Sequence, residues 1–183
     1  MAYPYTPKLN FPLKNYKVNG SWFRKRCIID NAFWGFHLGE DCNIRANTKV
    51  LAIGRGRVVY SALHSTERSP RRGGRRNWGN IVIIAHKNPK TRRVFFSLYG
   101  HLKRRFVRKG KRIDKGDVIG TIAKGWTKEN GWWSESHLHF ALYQGPWERK
   151  ILPGYFRKDQ KRTKLNYWAK PSKFIRDYDK KIN

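Results

Sequence analysis

Six histidines occur in the 183 residues, and four of them stand in short motifs suited to holding a metal or moving a proton. These motifs are HLGED at 37–41, GHL at 100–102 and HLH at 137–139. In a β-strand alternate side chains share a face, so His137 and His139 point the same way while Leu138 and Phe140 point to a core. Two imidazoles so placed, with Cα atoms about 6–7 Å apart, suit two ligands, or one ligand and a neighbour behind it. Taken alone, HLH equally suits two solvent-facing strand histidines. HLGED adds a carboxylate. In an extended strand His37 and Asp41 would lie about 13 Å apart, too far to share an ion. A sharp turn at Gly39 brings Asp41 back beside His37. Two nitrogens and one oxygen at about 2.0–2.2 Å make a catalytic zinc set with an open fourth position. A single carboxylate leaves such a site with net positive charge, which polarises a carbonyl and acidifies water.

The other candidates carry less. His64 and His86 read as polar residues at strand ends. Glu40 reads as a solvent-facing charge, with orientation of an imidazole as the alternative. Cys27 and Cys42 form no CxxC pair, so a thiolate metal site is unsupported, and two buried thiols are expected rather than a disulfide.

The elements that must position these residues read as β. Val50–Leu63 suggests two short strands around Gly54 and Gly56. Ile81–Ala85 and Val94–Tyr99 are apolar runs of strand length, joined by a turn over 87–90. Val118–Ala123 and His137–Tyr143 follow, with a Gly- and Trp-containing loop over 124–136 between them. Only the tail after Asn166 has room for a helical turn or two. The pattern predicts an all-β fold, a compact antiparallel sandwich or barrel, preceded by an irregular N-terminal arm. Expected boundaries are an arm over 1–30, a β domain over 31–150 and a basic C-terminal extension over 151–183, packed on that domain or trailing it. The run ERSPRRGGRR marks an exposed basic loop around 68–76.

HLGED, YGHL and HLHF, in this order, resemble peptidase family M23, the lysostaphin-like or LytM-type cell-wall hydrolases. VLAIGRGRVVYSA, WGNIVIIAH and VRKGKRIDKGDVIGTIA resemble the intervening segments of that family, and KPSKFI at 170–175 its closing segment. The resemblance implies the LytM-type fold and a zinc endopeptidase acting on bacterial peptidoglycan. It implies that His37, Asp41 and His139 hold Zn2+, that His137 is the general base, and that His101 stabilises the oxyanion or orients the water. One departure stands out: the small-residue segment usual before HLHF is ENGWWSES here. Trp132 and Trp133 are therefore expected to wall the groove and contact substrate, with packing on the loop itself as the alternative.

Charge bounds the partners. Lys and Arg number 41 against 12 Asp and Glu, a formal +29, which implies an acidic neighbour and says little about fold. Anionic cell-wall polymers fit. Nucleic acid fits less well, because no helix-turn-helix, RRM or finger pattern accompanies the charge. An aromatic content of 15% excludes a disordered polymer. No run approaches a membrane span and no secretory signal is visible; the resemblance implies action at the cell wall, by secretion, periplasmic export or phage delivery. A monomer is expected. The rival reading is a catalytically silent M23-fold module that binds or regulates.

Overall fold

The structure, a computed structural model, describes residues 2–29, 31–149, 151–159 and 163–178. Among these residues twelve strands and one α-helix follow along the chain: β1 (Arg26–Ile29), β2 (Ala32–His37), β3 (Glu40–Asn43), β4 (Lys49–Leu51), β5 (Gly56–His64), β6 (Gly79–Lys87), β7 (Val94–Arg105), β8 (Arg112–Ile113), β9 (Val118–Ile122), β10 (His137–Tyr143), β11 (Tyr155–Phe156), β12 (Trp168–Ala169) and α1 (Pro171–Tyr178). The main sheet runs β12-β10-β7-β6-β5-β8, with β3 on β10 and with β9 bridging β7 and β4. A second sheet has the order β1-β2-β11. Every strand pair is antiparallel, and neither sheet closes into a barrel.

The centre of the main sheet follows from β6, whose sequence GNIVIIAHK is buried at eight consecutive positions. Period two divides its side chains between two cores. Val82 and Ile84 join Val58, Tyr99, Phe140 and Ile122 on one face. Ile81, Ile83 and Ala85 join Phe96, Leu98, Ala141 and Trp168 on the other. Each fully buried Ile contributes roughly 2–3 kcal/mol, so a strand of this kind can only be central. The terminal segments complete the first core, with Leu9 and Leu13 from one end and Ile175 and Tyr178 of α1 from the other.

His86 stands near the end of β6, as the sequence suggested, but is fully enclosed, stacked on Phe95 with ring centroids 5.0 Å apart. Two residues lie elsewhere than the sequence suggested. Glu40 neither faces solvent nor touches an imidazole. It is fully buried, and accepts hydrogen bonds from Tyr16 Oη (2.7 Å), Ser172 N (2.9 Å) and Ser172 Oγ (2.7 Å). Its charge thereby sits at the N-terminal turn of α1, where the helix dipole favours an anion. Trp132 is treated with the site below. Cys27 and Cys42 are free and buried, and burial pushes both thiols up, Cys42 to about 12, which keeps them unreactive.

Candidate active site

His37 ends β2, Asp41 is the second residue of β3, and His139 lies inside β10. Between the first two, the chain bends at Leu38-Gly39, so β3 turns to pair with β10 and places Asp41 opposite His139. The bend requires glycine. A Cβ at residue 39 would stand 2.6 Å from His139 Nε2 and 2.6 Å from the Phe140 carbonyl oxygen.

Three atoms converge there. His37 Nε2 is 2.9 Å from His139 Nδ1 and 3.2 Å from Asp41 Oδ1, and His139 Nδ1 is 3.0 Å from the same oxygen. His37 Nδ1 donates to the Trp22 carbonyl at 3.2 Å, so its proton sits there and its Nε2 presents a lone pair. Asp41 adds a second acceptor. His139 brings a single proton to this cluster while neutral, and its Nε2 is buried without a partner. Too few protons serve too many lone pairs. Burial pushes the Asp41 carboxyl up, but the His37 and His139 rings outweigh it and hold the group well below the usual carboxylate range. Burial lowers His139 to about 4 despite its bond to Asp41. A carboxylate and imidazole nitrogens presenting lone pairs are what a divalent cation requires of its ligands. Zinc ligands at about 2.0–2.1 Å stand about 3.3 Å apart in a tetrahedron, so the observed spacing suits that ion.

His101 reaches the same cleft through a backbone irregularity. By strict alternation it would share a face with Tyr99, in the first core. The β6–β7 register shifts between Asn80↔Leu102 and Val82↔Tyr99, and His101 adopts φ 64°. This bulge returns Leu102 to the core and leaves His101 on the cleft side, its ring 4.3 Å from that of His137. Nδ1 of His101 donates to the Asn130 carbonyl at 2.9 Å, and Nδ1 of His137 to the Glu135 carbonyl at 2.9 Å. Each neutral ring therefore keeps its Nε2 as a proton acceptor. Burial, with His137 and His139 adding to it, pushes His101 well below its usual value, which keeps it neutral.

A second bulge shapes the opposite wall. Cys27 pairs with Gly35 and Ile28 with Phe33, so Trp34 is unopposed. Gly35 has φ 127°, and a Cβ there would meet the Phe156 carbonyl oxygen at 2.6 Å. Trp34 packs on Trp133 (6.0 Å) and on Tyr155 (5.8 Å), and these rings line a cleft of about 810 Å³ together with Asp41, His101, His137 and His139. Trp132, expected in the same wall, is not among the lining residues. With φ 67° it turns away and donates its indole N–H to the Thr66 carbonyl at 2.9 Å, bracing the basic loop. Sequence reasoning missed Trp34, Trp78 and Tyr155. Trp78 lies edge-on to His139 at 4.8 Å, in space that Gly100 leaves free. His64, at the end of β5, lines the cleft as well.

The model of peptidase family M23 matches residues 35–151, and the chain belongs to that family. It is 28% identical over 134 residues to the peptidoglycan DD-endopeptidase ShyC of Vibrio cholerae, covering 73% of this chain and 26% of that protein; it thus spans about a quarter of the relative's length. The fold is similar to the catalytic domain of the antimicrobial peptidase lysostaphin from Staphylococcus simulans (TM-score 0.56, 19% identity, 86% of this chain and 90% of that one). It is also similar to a zinc containing peptidase from Vibrio cholerae (TM-score 0.57, 22% identity, 75% of this chain and 37% of that one).

Proposed function

We propose that this member of family M23 is a zinc endopeptidase that hydrolyses amide bonds in peptidoglycan peptides at the cell wall, with His37, Asp41 and His139 as the metal ligands. The observation that carries this reading is the meeting of His37 Nε2, His139 Nδ1 and Asp41 Oδ1 within 3.2 Å, acceptors without enough protons between them. When bound, zinc would supply Lewis acidity toward the scissile carbonyl and would make a water acidic enough to lose a proton near neutral pH. His137 takes that proton on Nε2, since its Nδ1 proton is committed to Glu135. His101, kept neutral, accepts a hydrogen bond on Nε2 and orients the water; its Nδ1–H faces Asn130, so a neutral His101 has no proton to offer an oxyanion. Trp133, with Trp34 and Tyr155, holds the peptide against the cleft wall. Basic charge over the rest of the molecule favours adsorption to anionic wall polymers.

The test is peptide release from purified sacculi. Release that stops with a zinc chelator and returns with added zinc supports the reading. Release indifferent to chelation, or no release by the zinc-loaded protein, overturns it.

A further inference from the structure

Among the described residues, strand β1 (Arg26–Ile29) pairs on one side only, with β2, and is the edge of the three-stranded sheet. The phase of its ladder follows from one bond: the His37 N–H donates to the Lys25 carbonyl at 2.9 Å. In an antiparallel pair the residues alternate in the direction of their backbone groups. The Lys25 carbonyl and the backbone groups of Cys27 therefore turn to β2, the Lys25 N–H being taken by the Trp22 carbonyl, and Arg26 and Ile28 turn theirs outward. On that outer side Arg26 and Ile28 find no backbone partner among the described residues.

This open edge faces the cleft. A cavity lying over one face of a strand touches alternate residues, but here Lys25, Arg26, Cys27, Ile28 and Ile29 all line it, together with Asp41, His137 and His139. Ile28 is 59% exposed. A bare edge carrying a large exposed apolar residue invites pairing with another chain, and strands without a partner are usually shielded against that. Its continuity with the site that cuts peptides gives it an occupant.

We propose that the outer edge of β1 binds the peptide to be cut as an added strand, through the main-chain groups of Arg26 and Ile28. The proposal rests on the endopeptidase reading above and narrows the substrate to a peptide that lies extended for about three residues, with its amide N–H groups intact. Recognition of this kind holds the main chain, and leaves side-chain selection to the aromatic wall of Trp34 and Trp133.

Proline at an outward-facing edge position removes one N–H without breaking the ladder to β2. Ile28→Pro is therefore compared with Ile28→Ala on soluble cross-linked wall peptides, with metal content and thermal unfolding as controls. Ile28→Pro should raise KM about five- to tenfold above that of Ile28→Ala at unchanged kcat, the effect of one lost hydrogen bond. Equal behaviour of the two variants, whether both unaffected or both impaired, overturns the proposal. Should Ile28→Pro lose metal or unfold, NMR amide exchange on the wild-type zinc form, with the released peptides added, decides. Protection gained at Arg26 and Ile28 supports the edge; none gained there overturns it. Wall peptides left intact by the zinc-loaded wild type sink the endopeptidase reading and this proposal together, whereas the Ile28 results bear on the edge alone.

Discussion

His139 and His86 are both enclosed imidazoles on strands of the same sheet, and burial lowers each to about 4. Their surroundings differ in one respect. His86 donates from Nδ1 to the Arg55 carbonyl at 2.8 Å and accepts on Nε2 from the Ser97 hydroxyl at 2.7 Å, so every proton and lone pair has a partner. His139 faces a carboxylate and a second imidazole with Nδ1, and its Nε2 has no partner. Burial and a low pKa are common to both rings and do not identify the site. The proposed metal site differs in an excess of acceptors over protons around a carboxylate, which a cation would complete.

The comparison breaks first on catalysis. His137→Ala should lower turnover about 10²- to 10⁴-fold while the metal stays, and His37→Ala should remove the metal as well. His86→Gln should leave turnover near wild type. Peptide release assayed beside elemental analysis separates the three. If His137→Ala also strips the metal, the division of labour within HLH is wrong.

A second prediction concerns pH. The folded state holds His86 at about 4, below its ordinary 6.5, so the fold binds fewer protons than the unfolded chain between those values. Stability from this residue is complete above pH 6.5 and is lost as pH falls toward 4, by about 3 kcal/mol. Urea midpoints at pH 7 and pH 4 should differ less in His86→Gln than in wild type. An identical difference would show that His86 titrates normally.

Gly39→Ala comes next. Its methyl group collides with His139 and the Phe140 carbonyl, and should cost about 1–3 kcal/mol and weaken metal binding, read by competition with a chelator. Unaltered metal affinity would mean that the His37–Asp41 turn has slack. The smallest effect is Ser97→Ala, which leaves His86 Nε2 without its donor and should cost about 1 kcal/mol in chemical denaturation at unchanged activity. Activity lost in step with stability would contradict the separation of the two regions.

What the sequence made legible is whatever repeats with period two or turns on glycine. HLH could be placed on one strand face, and the turn at Gly39 read, because both are local. The apolar runs of β6, β7 and β10 likewise announced a central antiparallel sheet. Irregular backbone was not legible. His101 and Trp34 reach the cleft through bulges, so simple alternation misplaces both, and Trp132 leaves it through a loop backbone at φ 67°. Glu40 was misjudged for a different reason. Its partners Tyr16 and Ser172 lie in the terminal segments, outside the residues matched by the family model, and no local pattern announces a contact over such a separation.

The central claim is that His37, Asp41 and His139 form a metal site and His86 does not. Metal analysis of protein purified without chelators tests it most directly. The account predicts about one zinc per chain in wild type and in His86→Gln, and none in His139→Ala. A wild-type protein without a transition metal, or a His139→Ala variant that keeps its zinc, would contradict it.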